Sequence, residues 1–350
     1  MFLPRENTSE SIRRRHPTLS SRALEPGVAM RHRAGLVLGL VGLADVAAAG
    51  LYPGIAPDNH TCALARPDKV KDLCCVETFG GLLIATQLWS TFTGLEDKGQ
   101  VYPKNEWSIH GLWPGSYTQY CDFSRQYDPR PSPNTTDGQP GGVPVPAYQG
   151  ESIEKWFEPY GKLDLLAYMR KHWVSQHDSN WVFWAHEFSK HATCFSTFQK
   201  ECYGPKASEH DDLFDFFETA VAWQRRLPSF QWLSDAGIRP SNTTGYTFSA
   251  VRHALTRAFG QPPFLGCGGP KYNETRAGRG SNDSGRTEIN EIWYYYHVNG
   301  TPQRGDARKL NADEAGGRLT TCALAPGAIK YYERAEGSEE GDLSAEMMEM

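Results

Sequence analysis

The chain has 350 residues, of which 39% are apolar, 12% aromatic and 22% charged. This is the balance of a globular protein and excludes disordered, collagen-like and polytopic membrane classes. The formal charge of −5 is carried at the ends: residues 1–49 hold seven Arg against four acids, and residues 333–350 hold seven acids against Arg334. The body is therefore near neutral, which excludes a bulk phosphate-binding surface and confines any nucleic-acid chemistry to a cleft.

Residues 1–29 are rich in Arg and Ser. Met30-Arg31-His32-Arg33 then reads as a basic n-region, Gly35–Ala44 as an apolar h-region and Ala47-Ala48-Ala49 as a small-residue cleavage site. The run is far shorter than the roughly 20 residues of a membrane span. Residues 30–49 are thus expected to be a signal peptide and the mature chain to start near Gly50. Initiation is expected at Met30, with 1–29 an upstream extension that need not be translated; a genuine extension, or a presequence for another organelle, stays open. Six Asn-x-Ser/Thr sequons follow, at Asn59, Asn134, Asn242, Asn273, Asn282 and Asn299, as in a glycosylated exterior. All eight cysteines lie in the mature region, and none forms a Cys-x-x-Cys. Disulfides therefore outweigh a metal site, with connectivity left open by the spacing alone.

Along the mature chain, Leu82–Ser90 has the length and composition of a strand. Asp128–Gly150, with six Pro and four Gly, reads as a surface loop. Lys162–His172, Asp211–Leu227 and Ser249–Phe259 have helical spacing. In the second of these, Leu213, Phe214, Phe217, Ala220 and Val221 form an apolar face. Gly268–Arg286 reads as another loop, Glu291–Asn299 as an aromatic-rich strand, and 333–350 as a disordered acidic tail. No repeat occurs, and strands and helices do not alternate around a Gly-rich phosphate turn. The class is α+β, a single domain over 50–332.

Two segments are too dense in functional side chains to be core filler: Trp107–Pro114, which contains His110, and Phe183–Cys194. Taken as a helix, the second places His186, Lys190, Glu187 and His191 within one 140° arc. A zinc-protease helix needs its histidines four apart. Here they are five apart, with Lys190 where the second ligand should stand, so zinc is disfavoured. An ordinary ion-paired helix face is the plainer alternative, and His110 in an apolar, rigid segment argues against it. A reaction that uses His, Lys and Glu without a protein nucleophile is RNA cleavage by the substrate's own 2′-OH. One neutral imidazole takes that proton, and a protonated one gives a proton to the leaving 5′ oxygen. Cations offset the charge on the phosphate oxygens, and Trp113, Phe183 and Trp184 are placed to stack bases.

These two segments, with Glu291–Gly300 and the paired Cys74-Cys75, resemble the ribonuclease T2 family, and its fungal secreted members in particular. The resemblance runs from about Cys62 to Cys322. It implies a central antiparallel sheet flanked by helices. It also implies metal-independent cleavage of single-stranded RNA through a 2′,3′-cyclic phosphate, with no cofactor and no action on DNA. His110 then corresponds to the general acid, His191 to the general base, and Glu187 and Lys190 to groups that stabilise the phosphorane. His186 corresponds to a phosphate-positioning histidine, Trp113 and Phe183 to base-contacting aromatics, and Gln87 to a polar base contact. The family pattern suggests Cys121–Cys194, Cys74–Cys202 and Cys267–Cys322, leaving Cys62 with Cys75. A secreted monomer without a membrane span is expected, a vacuolar location being the alternative. Two positions depart from the family: Gly115 replaces an Asp, which predicts weak base selectivity, and Ala192 replaces a Gly. An inactive secreted binding glycoprotein on the same scaffold is the rival reading.

Overall fold

A computed structural model describes residues 73–77, 81–115, 119–131, 143–272, 283–312 and 320–341. The expected signal peptide and start site, Cys62, and the sequons at Asn59, Asn134, Asn273 and Asn282 lie outside them. Asn242 and Asn299, the two described sequons, are both exposed.

The fold is α+β, a seven-stranded sheet with helices packed against it. In chain order the strands are β1 (Leu82–Leu88), β2 (Ser108–Pro114), β3 (Gly245–Tyr246), β4 (Phe264–Lys271), β5 (Arg286–Val298), β6 (Ala307–Leu310) and β7 (Ile329–Lys330). The helices are α1 (Leu163–His172), α2 (Asn180–Lys190), α3 (Asp211–Gln224), α4 (Ser229–Asp235) and α5 (Phe248–Phe259). β5 is the spine. One of its edges pairs with β1, and the other takes β4 along its first half and β6 along its second, all antiparallel. β7 adds a parallel contact, at Glu288 and Lys330.

Alternation along β5 explains the layers. Ile292, Tyr294, Tyr296 and Val298 join the main core with Leu83, Ala85, Ile109 and Leu112 and the inner faces of the helices. Tyr295, between them, belongs to a smaller cluster with Phe264 and Leu310, against which Leu82, Ile84 and Trp293 pack. Aromatic and β-branched residues suit such a doubly covered strand. The strand begins five residues earlier than its apolar pattern, because Arg286–Asn290 pairs with β4 and β7 rather than being driven by burial. For the same reason part of the Gly-rich stretch expected as a loop belongs to β4: Gly268 and Lys271 pair with Glu288 and Arg286 because β5 offers them an edge. α3 stops at Gln224, short of the expected Leu227, since Pro228 disfavours helical backbone in the residue before it.

Disulfides join Cys74 to Cys202, Cys121 to Cys194 and Cys267 to Cys322. Cys75 is disulfide-bonded as well.

The acidic segment from Glu333 is not a disordered tail as far as Gly341; residues 342–350 lie outside the described part. The Arg334 side chain is buried, its guanidinium 4.1 Å from the Trp89 ring centroid and 4.7 Å from that of Tyr102. It donates to the carbonyls of Ser90, Pro103 and Glu106. Backbone bonds from Ala335 to Thr91 and between Ser338 or Glu340 and Tyr102 complete the clasp. Composition counts the acids but cannot see that the one Arg among them has a socket.

Candidate active site

The first motif forms β2, an edge strand. Its register against β1 slips by one residue between Gly111 and Ile109, so that His110 is the extra residue of a β-bulge. Bulges of this kind re-aim side chains beside active sites. The strand is pinned there by Trp173 Nε1, which donates to His110 O at 2.9 Å, and by Thr86 Oγ1, which donates to Gly111 O at 3.1 Å.

The second motif supplies α2. Trp184, Ala185 and Phe188 anchor it in the core. The helix ends at Lys190, earlier than the motif does, and His191 closes it by donating its backbone N–H to Glu187 O at 3.1 Å. The four polar groups therefore split in two. Glu187 and His191, one turn apart, face His110, while His186 turns toward the segment that follows Cys121.

Glu187, fully buried, is the centre of the first group. Trp113 Nε1 donates to its Oε2 at 2.7 Å. Its Oε1 is 3.6 Å from His110 Nε2, and its Oε2 is 3.9 Å from His191 Nε2. Gly111 makes this possible: a Cβ there would lie 1.9 Å from Glu187 Oε2. The His191 ring stacks on Trp113 at 4.8 Å, and its Nε2 is buried without a hydrogen-bond partner among the described residues. Burial, and then the charges of Lys190, His186 and His110, hold the His191 imidazole well below the usual histidine range. The His110 ring meets the edge of Trp113 at 4.8 Å and tilts toward Phe183 at 5.7 Å. Its Nδ1 is 3.2 Å from Glu291 Oε1 on β5.

The second group is a dyad that sequence reading missed. His186 Nδ1 lies 2.7 Å from Asp128 Oδ2, and the Tyr120 hydroxyl donates to the same oxygen at 2.6 Å. Burial alone would raise the Asp128 carboxyl, but the hydrogen bond and charge of His186 and the Tyr120 hydroxyl hold it below the usual range. Asp128 opens the Pro- and Gly-rich stretch expected as surface, yet it is itself buried. Nothing in the local sequence separates it from its neighbours. Trp293 was missed too: its ring meets Trp113 edge-on at 5.1 Å and lies 4.2 Å from Phe264.

Two expectations need correction. Gln87 is not a base contact. It sits three residues from Ile84, the partner of Trp113, and so points to the opposite face of the sheet. There it donates to Leu227 O at 2.8 Å and accepts from Ser229 Oγ. Trp184 does not stack a base either, being fully buried in the core. At position 115, where Gly stands for the family's Asp, a Cβ would lie 2.0 Å from Leu82 Cγ.

Fold and site together define an RNA-cleaving endoribonuclease. The chain belongs to the ribonuclease T2 family, which it matches over residues 80–312. It is 32% identical over 270 residues to ribonuclease Trv of Hypocrea rufa, covering 76% of this chain and 94% of that protein. It is 30% identical over 262 residues to ribonuclease Le2 of Lentinula edodes, covering 73% and 90%. Among solved structures, that of Actibind, a T2 ribonuclease, superposes with a TM-score of 0.55 at 28% identity, covering 75% of this chain and 92% of that one.

Proposed function

We propose that the protein cleaves single-stranded RNA through a 2′,3′-cyclic phosphate, with His191 as general base and His110 as general acid. The contrast between the two rings carries this reading. His191 has cationic neighbours that disfavour its protonation, whereas the two ring nitrogens of His110 lie 3.6 Å from Glu187 Oε1 and 3.2 Å from Glu291 Oε1.

In the first step the 2′ oxygen attacks phosphorus and its proton passes to His191 Nε2. The P–O5′ bond breaks, and O5′ takes the proton of His110 Nε2. Hydrolysis reverses the roles: His110 removes a proton from water, and His191 returns one to the 2′ oxygen, leaving a 3′-phosphate. Lys190 offsets the charge that builds on the phosphorane. Glu187, in reach of both rings, keeps them in register with the phosphoryl group. His186 presents its second nitrogen to a phosphate, held by Asp128 and Tyr120. Trp113 and Phe183 stack the bases on either side of the cleaved bond. The substrate supplies the nucleophile, so DNA is not cleaved. The exposed Asn242 and Asn299 and the motif at 30–49 support a secreted, glycosylated protein. The rival inactive glycoprotein has no observation in its favour.

Product analysis on dinucleoside phosphates tests the reading. The wild type should form cyclic phosphate and then 3′-phosphate, unchanged in EDTA. His110→Ala and His191→Ala should each lose about 10²–10⁴-fold in turnover with the fold intact by circular dichroism. Cleavage of single-stranded DNA, or loss of activity to the chelator, would refute it.

A further inference from the structure

His110 Nδ1 is buried and has no aligned hydrogen-bond partner among the described residues. Buried ring nitrogens are rarely left so. The carboxylate beside it is Glu291, whose Oε1 stands 3.2 Å away, close but not aligned as a hydrogen bond. Catalytic contacts of this kind are often poorly aligned before substrate binds and tighten when it does.

Glu291 is held in place by its surroundings. Its Oε2 accepts from Trp293 Nε1 at 3.2 Å, two residues along the same face of β5. Opposite it on β4 stands Gly266, where β5 bulges at Asn290. A Cβ on Gly266 would come within 2.7 Å of Glu291 Cβ and 3.1 Å of Oε2. The next residue, Cys267, is tied to Cys322 and fixes the bulge. The arrangement repeats that of Glu187 and Gly111. Two glycines admit two carboxylates, one to each side of the same imidazole.

We infer that Glu291 is a positioning residue for the general acid. Accepting the Nδ1 proton of His110, it sets the tautomer and ring plane so that Nε2 faces the scissile phosphate. A carboxylate in that place both orients a histidine and favours its protonated form. The other charged groups around His110 are Glu187 on α2 and His191 at its end, with Lys190 and His186 on the same helix. The inference rests on His110 being the acid.

The test compares the full chain with Glu291→Gln, Glu291→Asp and Gly266→Ala on a dinucleoside phosphate across pH. The glutamine variant keeps the shape and an acceptor for Trp293 but loses the charge. Its kcat should fall about 10- to 100-fold, the range for such outer partners. KM should stay within about twofold, and the alkaline limb should move to lower pH. Aspartate should restore part of the loss. Gly266→Ala, which displaces the carboxylate without changing it, should lower kcat in the same way. Proton–nitrogen correlation spectra of the His110 ring supply a readout apart from activity: the wild type should show the Nδ1–H tautomer and Glu291→Gln a mixture. Wild-type kcat, pH profile and tautomer in Glu291→Gln would overturn the inference. So would a loss confined to Glu291→Gln and accompanied by a lowered Tm, with the other two variants at wild-type rate and profile. If the wild type failed to cleave RNA while Glu291→Gln still changed the tautomer, the functional reading would fall and the pairing would stand.

Discussion

Single atoms decide the chemistry of the cleft. Gly111 is required because a side chain there would occupy the position of the Glu187 carboxylate. Gly111→Ala should therefore lower kcat by about 10²-fold, as a displacement of roughly 1 Å at a reacting group does, in steady-state assays of a variant that remains folded. His191 carries a pH signature. Its imidazole is held neutral below the usual histidine range by burial first and by the Lys190 charge second. A base that resists protonation stays competent into acid, so the acidic limb of kcat/KM should lie below that of an ordinary histidine. Lys190→Gln removes a like charge and should move that limb upward, besides lowering kcat. A limb that stayed in place would show that Lys190 does not act on His191. Gly115→Asp should not create adenine selectivity. It would strike the Leu82 side chain and should cost roughly 1–3 kcal/mol of stability, as overpacking does, measurable by urea unfolding.

Elements owe their positions to partners distant in sequence. Both functional segments are legible from residue types alone, since few other chemistries ask for that set of side chains. Their geometry is another matter. A helical wheel puts His186, Glu187, Lys190 and His191 on one arc, yet the helix ends at Lys190 and His186 serves a different group. The bulge that frees His110 depends on how β1 and β2 register, which no local pattern states. Asp128 shows the same limit: its importance comes from lying 2.7 Å from His186, 58 residues on. Because Asp128 and Tyr120 hold a histidine assigned to phosphate, Asp128→Asn should raise KM more than it lowers kcat. Titration with an unreactive 3′-phosphate mononucleotide should show the same weakening of affinity. Equal binding by wild type and variant would remove His186 from the phosphate site.

The whole molecule is fastened by groups far from the cleft. Arg334 is enclosed by two rings and three carbonyls, and Arg334→Met would strand those acceptors. Charged hydrogen bonds and a desolvated cation–π contact suggest a cost of about 3 kcal/mol, visible as a fall of several degrees in Tm. A second fastening responds to pH. Burial pushes the Asp215 carboxyl up to about 7, against hydrogen bonds from Gln303 and Tyr203 that favour its charged form. A carboxyl whose folded value is raised stabilises the fold in acid, and that contribution is lost as pH rises toward 7. Relative to wild type, Asp215→Asn should therefore gain roughly 4 kcal/mol between pH 4 and 7.5, read as a change in the Tm difference of the two proteins. A difference independent of pH would show that Asp215 is ionised throughout.

By itself the sequence determined the chemistry and the class. The density of His, Glu and Lys in two short segments, the strand-like aromatic run of β5, and the apolar faces of α1, α3 and α5 are local properties, written in residue type and spacing. Only the tertiary structure decided which of these groups meet. The Gly-rich β4, the ordered clasp around Arg334, the withdrawal of Gln87 to the far face, the Asp128–His186 pair and the carboxylates on both sides of His110 all join residues that chain order keeps apart. Their stabilisation arises from burial and pairing after the sheet has formed, and a local pattern cannot encode a partner that lies tens of residues away.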